Sequence, residues 1–200
     1  MSSRKRFTVL ACLSMALLMA LSPLHAFAAQ QQPPPATATP EEVRIYEAFR
    51  AWITNTIFLA QQGWDAVGFD PADKAVAAAQ EQAAKVAVKI TTHVARAEDF
   101  DWGNAQWDLI VLSYVGGREY VANVVRALRP DGMVLIEAFH RDATKKQPIG
   151  GAVVFDSNEL LKLYGALRVV RYEDTDGVGD FGLQPMRIVR LFAQKAVTRD

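Results

Sequence analysis

The chain has a single cysteine, Cys12, and no glycine anywhere between residues 30 and 62. The cysteine falls in a segment that reads as a leader, so the remainder offers no disulfide, no catalytic thiol and no thiolate metal site. Beyond the leader the only histidines are His93 and His140, which excludes a histidine metal cluster. An excess of either charge is missing too, with 22 Lys+Arg against 22 Asp+Glu. Without Arg4, Lys5 and Arg6 the balance is 19 basic against 22 acidic side chains, which points to neither nucleic acid nor an anionic membrane as partner.

The start is basic and then apolar. "MSSRKRF" is followed by "TVLACLSMALLMAL", and "SPLHAFA" ends in small residues at Ala26 and Ala28. That layout predicts a secretory signal peptide over 1–28, cut after Ala28. The protein is then exported, periplasmic or secreted, with no stable membrane insertion after cleavage. The alternative is an uncleaved N-terminal anchor, against which the apolar run falls short of the roughly 20 residues a spanning helix needs. Residues 29–40, "AQQQPPPATATP", cannot bury apolar surface and predict a flexible linker. One folded domain is expected over 41–196.

Within it, apolar residues recur at helical spacing over 41–62, from Val43 and Tyr46 through Phe49, Ile53 and Ile57 to Ala60. "DAVGFD" predicts a short buried strand, and "PADKAVAAAQEQAAKVA" a helix with proline at its first position. "VKITTHVA", "WDLIVLSYV" and "GMVLIEAF" predict further strands, with a helix over "REYVANVVRALRP" between the last two. "DSNELLKLYG" predicts a helix with a capping pair, Asp156 and Glu159, and two strands follow in "ALRVVRYED" and "MRIVRLFAQK". Strands alternating with helices and reading as unbroken Val/Ile/Leu runs predict an α/β fold on a mostly parallel sheet covered on both faces. Ligands of such sheets bind beyond the carboxyl ends of the strands.

Over about 55–195 these blocks resemble the class I S-adenosylmethionine-dependent methyltransferases. "FLAQQGWDAVGFDPADKAVAAAQ" is similar to the family's second-strand block with its terminal acid. "WDLIVLSYV" resembles its fourth strand, and "VVRALRPDGMVLIEAF" its turn into the fifth, with Asp131 in place of the first glycine. The resemblance implies a Rossmann-like doubly wound sheet. It also implies a first strand and a glycine-rich loop of the form D-x-G-x-G-x-G, and both are expected to be missing here. The loss predicts that the second and fourth strands pair directly or leave a gap, and that S-adenosylmethionine binds weakly or not at all.

The same resemblance assigns the candidate site residues. Asp70 would bind the ribose hydroxyls of the cofactor, its alternative being a helix cap before Pro71. Glu98 or Asp99 would stand near the adenine, in a position that Arg96 otherwise takes. Ser113 and Tyr114 end the fourth strand on the cofactor rim, and Glu137 and His140 end the fifth. His140 is the candidate general base, and no metal is expected. The implied activity is methyl transfer to a small molecule. The competing reading is a degenerate, non-catalytic exported member of the fold that has lost its cofactor.

Overall fold

The structure, a computed structural model, describes residues 6–11, 56–146, 148–177 and 185–196. The linker 29–40, the rest of the leader and the first part of the helix expected from Glu41 lie outside the described residues.

Eight strands form one sheet: β1 (Arg6–Ala11), β2 (Asp65–Asp70), β3 (Thr91–Val94), β4 (Trp107–Ser113), β5 (Leu128–His140), β6 (Val154–Phe155), β7 (Arg168–Gly177) and β8 (Met186–Gln194). Their spatial order is β3-β2-β1-β4-β5-β8-β7, with β6 beside β5. Pairing is parallel except on the two sides of β8, which runs antiparallel to β5 and to β7. The helices are α1 (Asp73–Lys85), α2 (Val121–Ala127) and α3 (Glu159–Leu163), preceded by a helical segment at residues 56–61. The doubly wound, mostly parallel architecture is as the sequence predicts.

The centre of the sheet is different from expectation. β2 and β4 do not pair directly and no gap separates them. Arg6–Ala11 lies between them, with Phe7–Ala11 in register with Leu109–Ser113 and Arg6–Leu10 in register with Asp65–Phe69. The expected missing strand is therefore present, inside the segment that reads as a leader. That one stretch supports both readings has a physical reason. A strand buried between two parallel neighbours is an uninterrupted apolar run, and so is the hydrophobic stretch of a signal peptide. Composition alone does not separate them. Removing this strand would leave the facing N–H and C=O groups of β2 and β4 unpaired, at roughly 1–3 kcal/mol for each buried group.

Side-chain alternation divides the sheet into two faces. One carries Ile110 and Leu112 of β4, Val134, Ile136 and Ala138 of β5, and Val189, Leu191 and Ala193 of β8, all 0% exposed. These pack with Val124 and Ala127 of α2, Leu160 of α3, and the indoles of Trp102 and Trp107. Both indole N–H groups donate to backbone carbonyls, Trp102 to Ala97 and Trp107 to Trp102. On the other face, Ala66 and Val111 are covered by Ala75, Val76, Ala78 and Ala79 of α1, with Ile57 and Leu59 packed alongside. Farther along that face, at the end of β5, a third cluster joins Tyr114, Phe139, Val154 and Ile188.

Helix limits are narrower than predicted. α3 holds five residues, and its entry residue Asn158 is left-handed at φ 62°. Of the expected capping pair, one half is made: the Asp156 N–H donates to the Glu159 carboxylate. Arg118 fixes this corner by donating to both oxygens of Glu159 and to the carbonyls of Val154 and Gly151, with its guanidinium over the Phe155 ring.

Candidate functional site

One line of register runs across the sheet at its carboxyl rim. Ala11 pairs with Ser113, Ser113 with Glu137, Glu137 with Arg190, and Arg190 with Glu173. Asp70 ends β2 one residue past the Leu10–Phe69 pair, at the level of Ala11. Asp70 and Ser113 therefore flank β1, about 10 Å apart at two strand spacings.

Asp70 is 1% exposed. Its Oδ1 accepts the Ala72 N–H at 2.7 Å, the turn that leads into α1. Among the described residues, no hydrogen bond reaches its other carboxylate oxygen. Burial pushes the carboxyl up to about 7, against the opposing pull of the Ala72 N–H. The ribose role and the capping role that the sequence leaves open are thus compatible, because they use different oxygens. Ser113 is 5% exposed, and its Oγ has no hydrogen-bond partner among the described residues. A buried hydroxyl without a partner is costly.

Tyr114 leaves β4 with φ 52°, in the left-handed region that a tyrosine rarely occupies. Its N–H donates to the Glu137 carbonyl at 2.9 Å and its hydroxyl to Glu137 Oε1 at 2.6 Å. The ring packs on Phe139 with centroids 4.7 Å apart. Glu137 Oε2 accepts from Arg190, which also donates to Glu173. Both oxygens of Glu137 are thus engaged, and Tyr114 faces the third apolar cluster.

His140 is 7% exposed and is held at both ring nitrogens. Nδ1 accepts the Asp142 N–H at 3.0 Å, which assigns the ring proton to Nε2. Nε2 lies 3.0 Å from Ser157 Oγ, and Ser157 in turn donates to Asp174 at 2.6 Å. Arg187 donates to both Asp174 and Asp142. To act as a base, His140 must first lose the Asp142 N–H from Nδ1.

Glu98 and Asp99 are exposed in the turn after β3. Glu98 pairs with Arg96 at 2.6 Å, and its carboxyl is held low by its own backbone N–H and by Arg96. The structure thus brings Asp70, Ser113, Tyr114, Glu137 and His140 to one rim, where Asp70 and Ser113 are buried and keep hydrogen-bonding capacity that no described residue fills. Among the described residues, no group of three acidic, histidine or cysteine side chains could hold a metal.

The sequence reading missed the partners: Arg190 and Glu173 beside Glu137, and Ser157, Asp174 and Arg187 around His140. These contacts span 13–53 residues, so no local motif announces them. It also missed β1, which separates Asp70 from Ser113.

Residues 54–132 match the family model described as a methyltransferase domain. No curated protein matches the sequence. Among solved structures, TehB from Haemophilus influenzae is 20% identical, with a TM-score of 0.56 over 70% of this chain and 53% of its own. The chain thus spans about half the length of TehB. The PH0226 protein from Pyrococcus horikoshii OT3 is 13% identical with a TM-score of 0.58, over 98% of this chain and 84% of its own. The 1,6-didemethyltoxoflavin-N1-methyltransferase of Burkholderia thailandensis, solved with bound S-adenosylhomocysteine, is 14% identical with a TM-score of 0.56, over 96% of this chain and 72% of its own.

Proposed function

The chain carries the class I methyltransferase fold, and on that premise we propose that it is an S-adenosylmethionine-dependent methyltransferase-like protein acting on a small molecule. The observation that carries this reading is the pair of unfulfilled polar groups on the rim, the free oxygen of Asp70 and the orphaned Ser113 hydroxyl. They fit the nucleoside end of the cofactor. Two ribose hydroxyls can donate to a carboxylate, and a buried Ser hydroxyl can serve a further polar atom of the ligand. The amino-acid end is different: the first glycine of the chain is Gly63, so no glycine turn follows β1.

When bound, the cofactor supplies an electrophilic methyl group on a sulfonium. The chain's own part is to orient the nucleoside at Asp70, to fill the rim with apolar bulk that excludes water, and to position the acceptor. Hydroxyl donors favour the ionised form of Asp70, so binding pulls its proton off and strengthens with rising pH through 7.

Calorimetric titration of the full chain with S-adenosylhomocysteine tests this. A single saturable site, weakened at least tenfold by Asp70→Ala, is the expected result. A flat titration removes the reading.

The second reading is a non-catalytic member of the fold. It is favoured by the engagement of both Glu137 oxygens and both His140 nitrogens, which leaves no ready base at the rim. Binding of the nucleoside without turnover against a panel of small nucleophiles would select it.

A further inference from the structure

Ser113 and Glu137 are register partners on β4 and β5. Their side chains therefore stand side by side on one face of the sheet, about one strand spacing of 4.8 Å apart. A buried hydroxyl beside a carboxylate is placed to donate to it, yet the Ser113 Oγ has no partner among the described residues. The reason lies on the far side of Glu137. Its Oε1 accepts the Tyr114 hydroxyl at 2.6 Å, and its Oε2 accepts from Arg190. A carboxylate has lone pairs to spare, so capacity is not what denies Ser113 a bond. Direction is: pinned at both oxygens, the carboxylate is not free to turn toward β4. Arg190 does not yield either, because it also donates to Glu173, which Arg171 holds in turn.

The pin at Oε1 is built at some cost. Tyr114 reaches back to Glu137 from a left-handed backbone, φ 52°, with its N–H on the Glu137 carbonyl and its ring on Phe139. Three unfavourable features thus fall on neighbouring residues: a left-handed tyrosine, a buried carboxylate and an unpartnered hydroxyl. Packing explains none of them, since apolar side chains of similar size would fill the same space without a buried charge.

We propose that Tyr114 is a positioning residue: by pinning Glu137 it withholds the carboxylate from Ser113 and keeps that hydroxyl for the ligand. This role rests on the cofactor reading of Ser113 given above, and it asks no proton transfer of Glu137.

Two double-mutant comparisons on the full chain test it, and the first needs no ligand. In the parent chain, Ser113→Ala leaves the denaturant midpoint in place, because the hydroxyl has no bond to lose. In a Tyr114→Phe chain the released carboxylate turns to Ser113, and Ser113→Ala then lowers the midpoint. If Tyr114→Phe does not fold, Arg190→Met releases the other oxygen and carries the same comparison. An equal shift in both backgrounds overturns the proposal. The second comparison reads the affinity for S-adenosylhomocysteine by calorimetry. Tyr114→Phe should weaken binding about fivefold while Ser113 is present, and by less than about twofold once it is alanine. Equal losses in both backgrounds overturn the proposal as well. A parent chain that does not bind S-adenosylhomocysteine removes the cofactor reading and with it the ligand's part, while the midpoint comparison still decides whether Tyr114 withholds the carboxylate.

Discussion

The two faces of the same sheet are built from the same strands, yet they are under different physical control. On the face beneath α2 and α3, eight apolar side chains of β4, β5 and β8 are 0% exposed and join one hydrophobic cluster. On the opposite face, one residue along each strand, the same span presents Ser113, Glu137 and Arg190, with Leu135 half in solvent. Alternation thus separates stability from chemistry within a single set of strands. The buried face holds the fold together, and the other carries the unfulfilled groups on which the proposed ligand would act.

The largest effect is expected from removing what both faces share. Deleting residues 1–28 takes β1 from the middle of the sheet and should abolish the cooperative thermal transition. A truncated chain that melts like the full one would show that β1 is dispensable. The same point predicts that the folded protein retains Arg6–Ala11, which an intact mass measurement checks.

Next comes the buried face alone. Ile136→Ala should cost about 2–5 kcal/mol in denaturant unfolding, the range for a deleted core side chain. The adjacent Glu137→Gln, on the other face, keeps its shape and one acceptor, and Arg190 opposite it is 38% exposed. Its cost should be smaller, about 1–2 kcal/mol. Equal costs would erase the contrast between the faces.

This contrast also explains what was legible in the sequence. The helix-covered face is written locally, in runs such as "DLIVLS" and "GMVLIEAF", and the alternation of strands and helices was readable from them. Asp70 and Ser113 were legible as strand-end residues for the same reason. The ladder from Tyr114 through Glu137 to Arg190 and Glu173 was not, because it is assembled by strand register between residues far apart in the chain. β1 was hidden by ambiguity rather than distance: "FTVLA" satisfies a buried strand and a leader equally well. The Asp142 N–H that caps the His140 ring comes from only two residues on, yet no sequence pattern marks it.

A smaller effect concerns pH. Burial holds the Asp70 carboxyl at about 7, while in the unfolded chain it titrates near 4. Between those values the folded state holds a proton that the unfolded state has lost. Stability should therefore fall as pH rises from about 4 to 7, with no further loss from this group above that. Asp70→Asn should flatten this dependence in denaturant titrations at pH 5 and pH 8, and an unchanged slope would contradict the assignment. The smallest effect is Ser113→Ala, which removes a hydroxyl without a partner. It should move stability by no more than about 0.5 kcal/mol, yet lower the affinity for S-adenosylhomocysteine.

The most direct measurement is calorimetry of the full chain with S-adenosylhomocysteine at pH 6 and pH 8, beside Asp70→Ala. The account predicts one site, tighter at pH 8, and at least a tenfold loss in the variant. No binding at either pH, or binding indifferent to Asp70, would contradict it.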